Sequence, residues 1–169
     1  MLRTLPRLWK HRWLDSRATA RALPPEAQSR LAALVAQSET MHTGEIRIAI
    51  EGGLPWSYLR RQASPRERAM TLFGKLRVWD TQDNNGVLIY LLLAEHAVEL
   101  VADRGLHAAL PADFWPQLLA QIRPALAAQQ YEAALAGAIG TLDAALAQHF
   151  PLPAGQSRSN TLPDAPVLL

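Results

Sequence analysis

Seven consecutive apolar residues, Val87-Leu88-Ile89-Tyr90-Leu91-Leu92-Leu93, constrain the fold more than any other stretch of the chain. The run is strand-length, far short of the roughly eighteen apolar residues a membrane-spanning helix needs. Because it does not alternate, both of its faces must be covered, which makes it a central strand. Upstream, Glu45-Ile46-Arg47-Ile48-Ala49-Ile50-Glu51 alternates at period two and predicts a strand with one apolar face, ended by Gly52-Gly53-Leu54-Pro55. Between the two lies a capping box, Ser64-Pro65-Arg66-Glu67, with Ala69, Leu72, Phe73 and Leu76 at helical spacing behind it. This helix runs out near Val78-Trp79.

Strand, helix and strand in that order predict a parallel pair joined by a right-handed crossover. Ala94-Glu95-His96 makes a turn, Ala97 to Ala102 returns as an antiparallel strand, and Asp103-Arg104-Gly105 closes it. A further helix begins at Pro24-Pro25-Glu26, with Ala27, Leu31, Leu34 and Ser38 on its buried side, and stops before His42-Thr43-Gly44. Phe114 to Gln129 contains Pro116 and Pro124 and reads as kinked or broken. Tyr131 to Phe150 carries Leu135, Ile139, Leu142 and Leu146 on one side. The fold class is therefore α/β, a three-layer α/β/α sandwich around a small mixed central sheet.

Both ends differ from this core. Residues 1–23 form a basic amphipathic segment in which Trp9, Lys10, Arg12 and Trp13 stand out as partner or membrane contacts. The same tryptophans could instead pack on the chain's own domain or on a second subunit. Residues 24–151 are the expected folded domain. Residues 152–169, rich in Pro, Ser and Gly, are expected to be disordered. The first 30 residues hold seven Arg or Lys against two acids, whereas residues 78–169 hold three Arg against nine acids. Different partners for the two ends, or ordinary solvated surface, both account for this asymmetry.

Several chemistries are excluded by what the chain lacks. It has no cysteine, so disulfides, thiolate nucleophiles and zinc-thiolate sites are out, which suits a cytoplasmic location. The first residues have no signal-peptide pattern. Neither phosphate-cradling glycine motif occurs, nor H-E-x-x-H, nor a nucleophile elbow, nor an aspartyl-phosphate D-x-D pair. The five histidines lack metal-ligand spacing, and His42 and His107 read as surface or capping residues. No nucleic-acid module accompanies the basic segment, so no nucleic-acid partner is expected.

One segment is a positive signal. Asp80-Thr81-Gln82-Asp83-Asn84-Asn85-Gly86 is dense in oxygen atoms and suits a hard cation such as calcium, although it is not an EF-hand. Asp, Asn and Gly are also turn residues, so a tight turn explains the composition equally well. The hairpin brings Asp103 back toward Asp83. Acids gathered there would repel unless a cation or basic group joined them. Asp143 borders the buried stripe of the last helix and could face the same pocket.

Thr43-Gly44-Glu45-Ile46, Asn84-Asn85-Gly86-Val87-Leu88-Ile89-Tyr90 and Ala102-Asp103-Arg104-Gly105-Leu106 together resemble the TPM domain, as do Phe114-Trp115, Tyr131 to Leu146 and His149-Phe150-Pro151. The resemblance covers roughly residues 24–151. It implies an α/β/α sandwich and a divalent-cation site, usually calcium, which by matching positions would be Asp80, Asp83, Asn84 and Asp103. Asn85, Arg104 and Asp143 are candidates to support those ligands. The family takes its name from a thylakoid lumen protein, a photosystem II repair protein and a nematode receptor accessory protein. This chain is similar to its short cytoplasmic bacterial branch. The expectation is a non-catalytic, calcium-binding accessory or protein-interaction domain near the inner membrane face, with an unidentified protein partner. Some plant members have been assigned acid phosphatase activity, and the alternative is therefore a metal-dependent phosphatase. Arg104 is the only basic residue near the acidic loop, which disfavours phosphate binding there.

Overall fold

The computed structural model describes residues 16–153, 155 and 162–169. Of the basic segment 1–23, Trp9, Lys10, Arg12 and Trp13 lie outside the described residues, while residues 16–23 are described. Chain order is α1 (Ser16–Ala22), α2 (Pro25–Ser38), β1 (Ile46–Glu51), α3 (Trp56–Arg60), α4 (Pro65–Lys75), β2 (Val87–Leu92), β3 (Ala97–Ala102), α5 (Arg104–Ala109), α6 (Phe114–Ala127), α7 (Tyr131–His149) and β4 (Val167–Leu168). The sheet order is β3-β2-β1-β4. β1 and β2 are parallel from Ile46 opposite Val87 to Glu51 opposite Leu92, and β3 returns antiparallel with Ala102 opposite Val87.

Period two divides the sheet residues between two cores. Ile46, Ile48, Ile50, Val87, Ile89 and Leu91 face α2, α6 and α7 through Leu31, Val35, Leu118, Ile122, Ile139 and Leu142. Ala49, Leu88, Tyr90 and Leu92 face the other way, onto Leu54, Ala69, Leu72 and Val78 around α4. Every residue of β2 is buried, as an unbroken apolar run requires. Each fully buried Leu, Ile or Val contributes about 1.5–3 kcal/mol, so these layers hold the sheet. The protein is thus the α/β sandwich expected. The capping box of α4 forms with both of its hydrogen bonds.

Five local expectations change. The polar face of β1 is not solvated: Arg47 is 7% and Glu51 4% exposed, because the chain's end and α4 cover that side. On α2 the buried stripe passes through Val35, while Leu34 is 39% exposed, since i, i+4 spacing from Ala27 and Leu31 selects residue 35. Of the two readings of the proline-containing stretch, kinked or broken, the broken one falls, because α6 is one helix through both prolines. Pro116 sits in the first turn, where no intrahelical amide bond is lost, and the burial of Leu118, Ile122 and Leu126 offsets the bond missing at Pro124. Asp103-Arg104-Gly105 does more than end β3, because Asp103 caps a new helix, α5. Residues 162–169 of the tail are not disordered either: Leu162 is buried and Val167–Leu168 adds a fourth strand beside β1.

Candidate functional site

The acidic loop reaches the sheet at the amino-terminal edge of its parallel strands. There the Val87 amide donates to the Glu45 carbonyl and the Asp103 amide to the Gly86 carbonyl, each at 2.8 Å. Glu45, Gly86 and Asp103 therefore form one row across three strands. The loop turns tightly, with the Asn84 amide on the Thr81 carbonyl at 3.3 Å and the Asn85 amide on Thr81 Oγ1 at 3.0 Å. Asn84 takes a left-handed conformation (φ 51°), which asparagine tolerates better than most residues. Gly86 passes so close to the Val78 carbonyl that a side chain could not fit. Gly105 is equally constrained, because a Cβ there would meet the carbonyls of Asp83 and Asn84. The loop and the start of α5 are consequently in backbone contact, and the Leu106 amide donates to the Asn84 carbonyl at 3.2 Å.

The predicted ligands do not all converge. Asp83 accepts a hydrogen bond from Thr43 Oγ1 at 2.8 Å, and Asn84 Oδ1 lies 3.4 Å from the donating Arg104 Nε. One Asp103 oxygen caps the Arg104 amide at 2.7 Å, while its Oδ2 is buried without a hydrogen-bond partner. Asp80 instead pairs with Arg77 at 2.7 Å on the exposed side of the loop. Asn85 is fully buried; its Nδ2 donates to Thr43 Oγ1 at 2.9 Å, and its Oδ1 has no partner. A third buried oxygen without a hydrogen bond is Glu45 Oε2. Among the described residues, no three His, Cys, Asp or Glu side chains are arranged to hold a metal ion. What the loop and its neighbours offer is a mixed set of carboxylate, amide and carbonyl oxygens, not a carboxylate cage.

Asp143 joins a neighbouring cluster. Ser38 Oγ lies 2.9 Å from Asp143 Oδ1 and 2.8 Å from His42 Nε2, and His42 Nδ1 lies 3.1 Å from the Gly44 carbonyl. A carbonyl only accepts, so Nδ1 carries the proton in that contact. His42 is therefore not a surface residue: it is fully buried and Ser38 is 4% exposed. With neither open to a substrate, this trio serves to fasten α2 to α7 and to fix the turn leading into Thr43. His107 is exposed and stacks on Trp115, with ring centroids 6.3 Å apart. The hub that sequence reasoning passed over is Thr43, which holds both Asp83 and Asn85. Its place in Thr43-Gly44-Glu45 was the available signal.

At the opposite edge, where parallel sheets more often build sites, polar groups satisfy one another. Arg68 grips Glu51 with contacts from 2.6 to 3.2 Å, and Tyr90 donates its hydroxyl to Glu51 at 2.6 Å. Burial, followed by the neighbouring Glu51 charge, pushes the Tyr90 hydroxyl well above its ordinary range.

The TPM domain profile matches residues 17–145. No curated protein matches the sequence. Among solved structures, the NMR structure of BA42 protein from the psychrophilic bacterium Bizionia argentinensis superposes with a TM-score of 0.75 at 24% identity. That match covers 86% of this chain and 94% of the other, and it supports the fold. With a profile match spanning most of its length, the chain belongs to the TPM domain family.

Proposed function

We propose that this TPM domain is a non-catalytic, divalent-cation-binding accessory module that takes calcium at the loop edge. Asp83, Asn84 and Asp103 are the ligands, with loop carbonyls completing the shell and Asp80 recruited if its pair with Arg77 opens. Asn85 and Arg104 support them. The carrying observation is a buried ligand oxygen without a donor, Asp103 Oδ2. Unpaired buried oxygens are costly, and a cation would satisfy them without adding donors. The reading includes a cytoplasmic location and a protein partner at the inner membrane face, on the strength of the basic segment around Trp9, Lys10, Arg12 and Trp13. No helix among the described residues is long and apolar enough to cross a membrane.

A phosphatase reading is weaker. Arg104 is not the only basic residue at the loop, since Arg77 pairs with Asp80, but with that pair formed and Arg104 turned to Asn84 the loop offers little cationic surface for a phosphate. The test is a calcium titration followed by melting temperature. Binding to the native state at a hundredfold excess over Kd adds about 2.7 kcal/mol, a rise of several degrees. The variants Asp83→Ala and Asp103→Ala should remove the rise. If both keep it, the loop is not the site. Phosphate-ester turnover that vanishes in the same variants would instead establish the enzyme.

A further inference from the structure

The outer edge of β1 is covered by a segment beyond the matched residues 17–145. Val167 and Leu168 pair in parallel with Ala49 and Ile50, and the Leu169 amide donates to the Ile50 carbonyl at 2.9 Å. Upstream, Leu162 is 8% exposed and packs in the cluster of Ala49, Leu54, Leu72 and Tyr90. Between these anchors, Arg47 donates to the carbonyls of Pro163 and Ala165, the latter at 2.7 Å. Burial pushes the Arg47 guanidinium down, and the Asp164 charge opposes that shift.

These are the contacts by which a sheet edge recognises an extended peptide. Ladder hydrogen bonds set the register, an apolar slot reads one side chain, and a cation reads carbonyls and an acid. The ladder is only two residue pairs long. Most of the fit therefore comes from the slot and from Arg47, features that a second peptide could reproduce. An edge strand left uncovered is also a ready template for another chain.

The geometry points to the outer edge of β1 as a peptide-docking site that residues 162–169 fill in cis. Its ligand in trans is an extended segment of a partner protein that enters parallel to β1. That segment carries a leucine-sized side chain for the slot of Leu162 and an acid two residues later, complementary to Arg47. Apolar residues follow at the positions of Val167 and Leu168. Tethering gives the cis segment an effective concentration of about millimolar, so a partner gains access only when that segment is weakened or outcompeted.

The probe is a fluorescent peptide with the sequence of residues 162–169, titrated by anisotropy against full-length chains. Leu162→Asp loosens the cis segment and should bind the peptide at least tenfold more tightly than the unaltered chain. Val167→Pro, which disrupts the ladder but leaves the slot, should act in the same direction. Adding Arg47→Ala to Leu162→Asp should weaken binding at least tenfold. The proposal is overturned if neither loosened variant, folded by far-UV circular dichroism, binds more tightly than the unaltered chain. It is overturned equally if Arg47→Ala has no effect. Dimerisation of Leu162→Asp without peptide, seen by sedimentation, would make a second copy the occupant and sink the partner assignment.

Discussion

Thr43 Oγ1 donates to Asp83 Oδ2 at 2.8 Å while it accepts from Asn85 Nδ2 at 2.9 Å. One hydroxyl thus ties the approach to β1 to the second half of the acidic loop, at Asp83 and at Asn85. Thr43→Val keeps the branched shape, frees Asp83 and leaves the buried Asn85 amide without its acceptor. An unsatisfied buried group costs about 1–3 kcal/mol, so the urea midpoint should fall with an unchanged slope. The calcium-induced rise in melting temperature should shrink as well. An unchanged midpoint would mean that Asn85 finds another acceptor and that Thr43 is no hub.

Arg68 and Glu51 support a different prediction. Their side chains are 11% and 5% exposed, and Tyr90 adds a third hydrogen-bonding group from beneath. Arg68→Leu would leave the Glu51 carboxylate buried beside a phenol alone. Removing one member of a buried pair costs about 3–5 kcal/mol, chiefly through the stranded charge. Adding Glu51→Leu should recover part of that loss, and chemical denaturation of the single and double variants measures it.

What the sequence made legible followed from period and local chemistry. The unbroken run at Val87 and the capping box at Ser64 each have one physical solution, and both formed as expected. The tail did not read correctly because its order is tertiary: Leu162 is buried in the apolar cluster that also holds Ala49, Leu54, Leu72 and Tyr90, which composition does not encode. His42 was misread for a similar reason. Its burial depends on Ser38, one turn back, meeting Asp143 across 105 residues. At the loop, sequence proximity grouped Asp80 with Asp83, but the turn at Arg77 sends Asp80 outward to an arginine two residues before Trp79.

The capping box of α4 makes the acid limb of the stability curve testable. The Ser64 amide donates to Glu67 Oε1 at 3.1 Å, and Ser64 Oγ accepts from the Glu67 amide at 3.2 Å. The Ser64 amide holds the Glu67 carboxyl below its ordinary range, and the Arg61 charge, 2.7 Å away, adds to this. A carboxyl with a depressed folded pKa binds fewer protons in the native state than in the unfolded one. Its stabilisation is complete above the unfolded carboxylate range and disappears as pH falls through the lowered folded value. Glu67→Gln retains an acceptor for the Ser64 amide but removes the charge. The variant should therefore be less stable than the parent at neutral pH, and the two should converge as pH falls through that lowered folded value. Urea midpoints across the acid range measure this. A difference that persists unchanged in acid would mean that Glu67 acts through packing rather than through its charge.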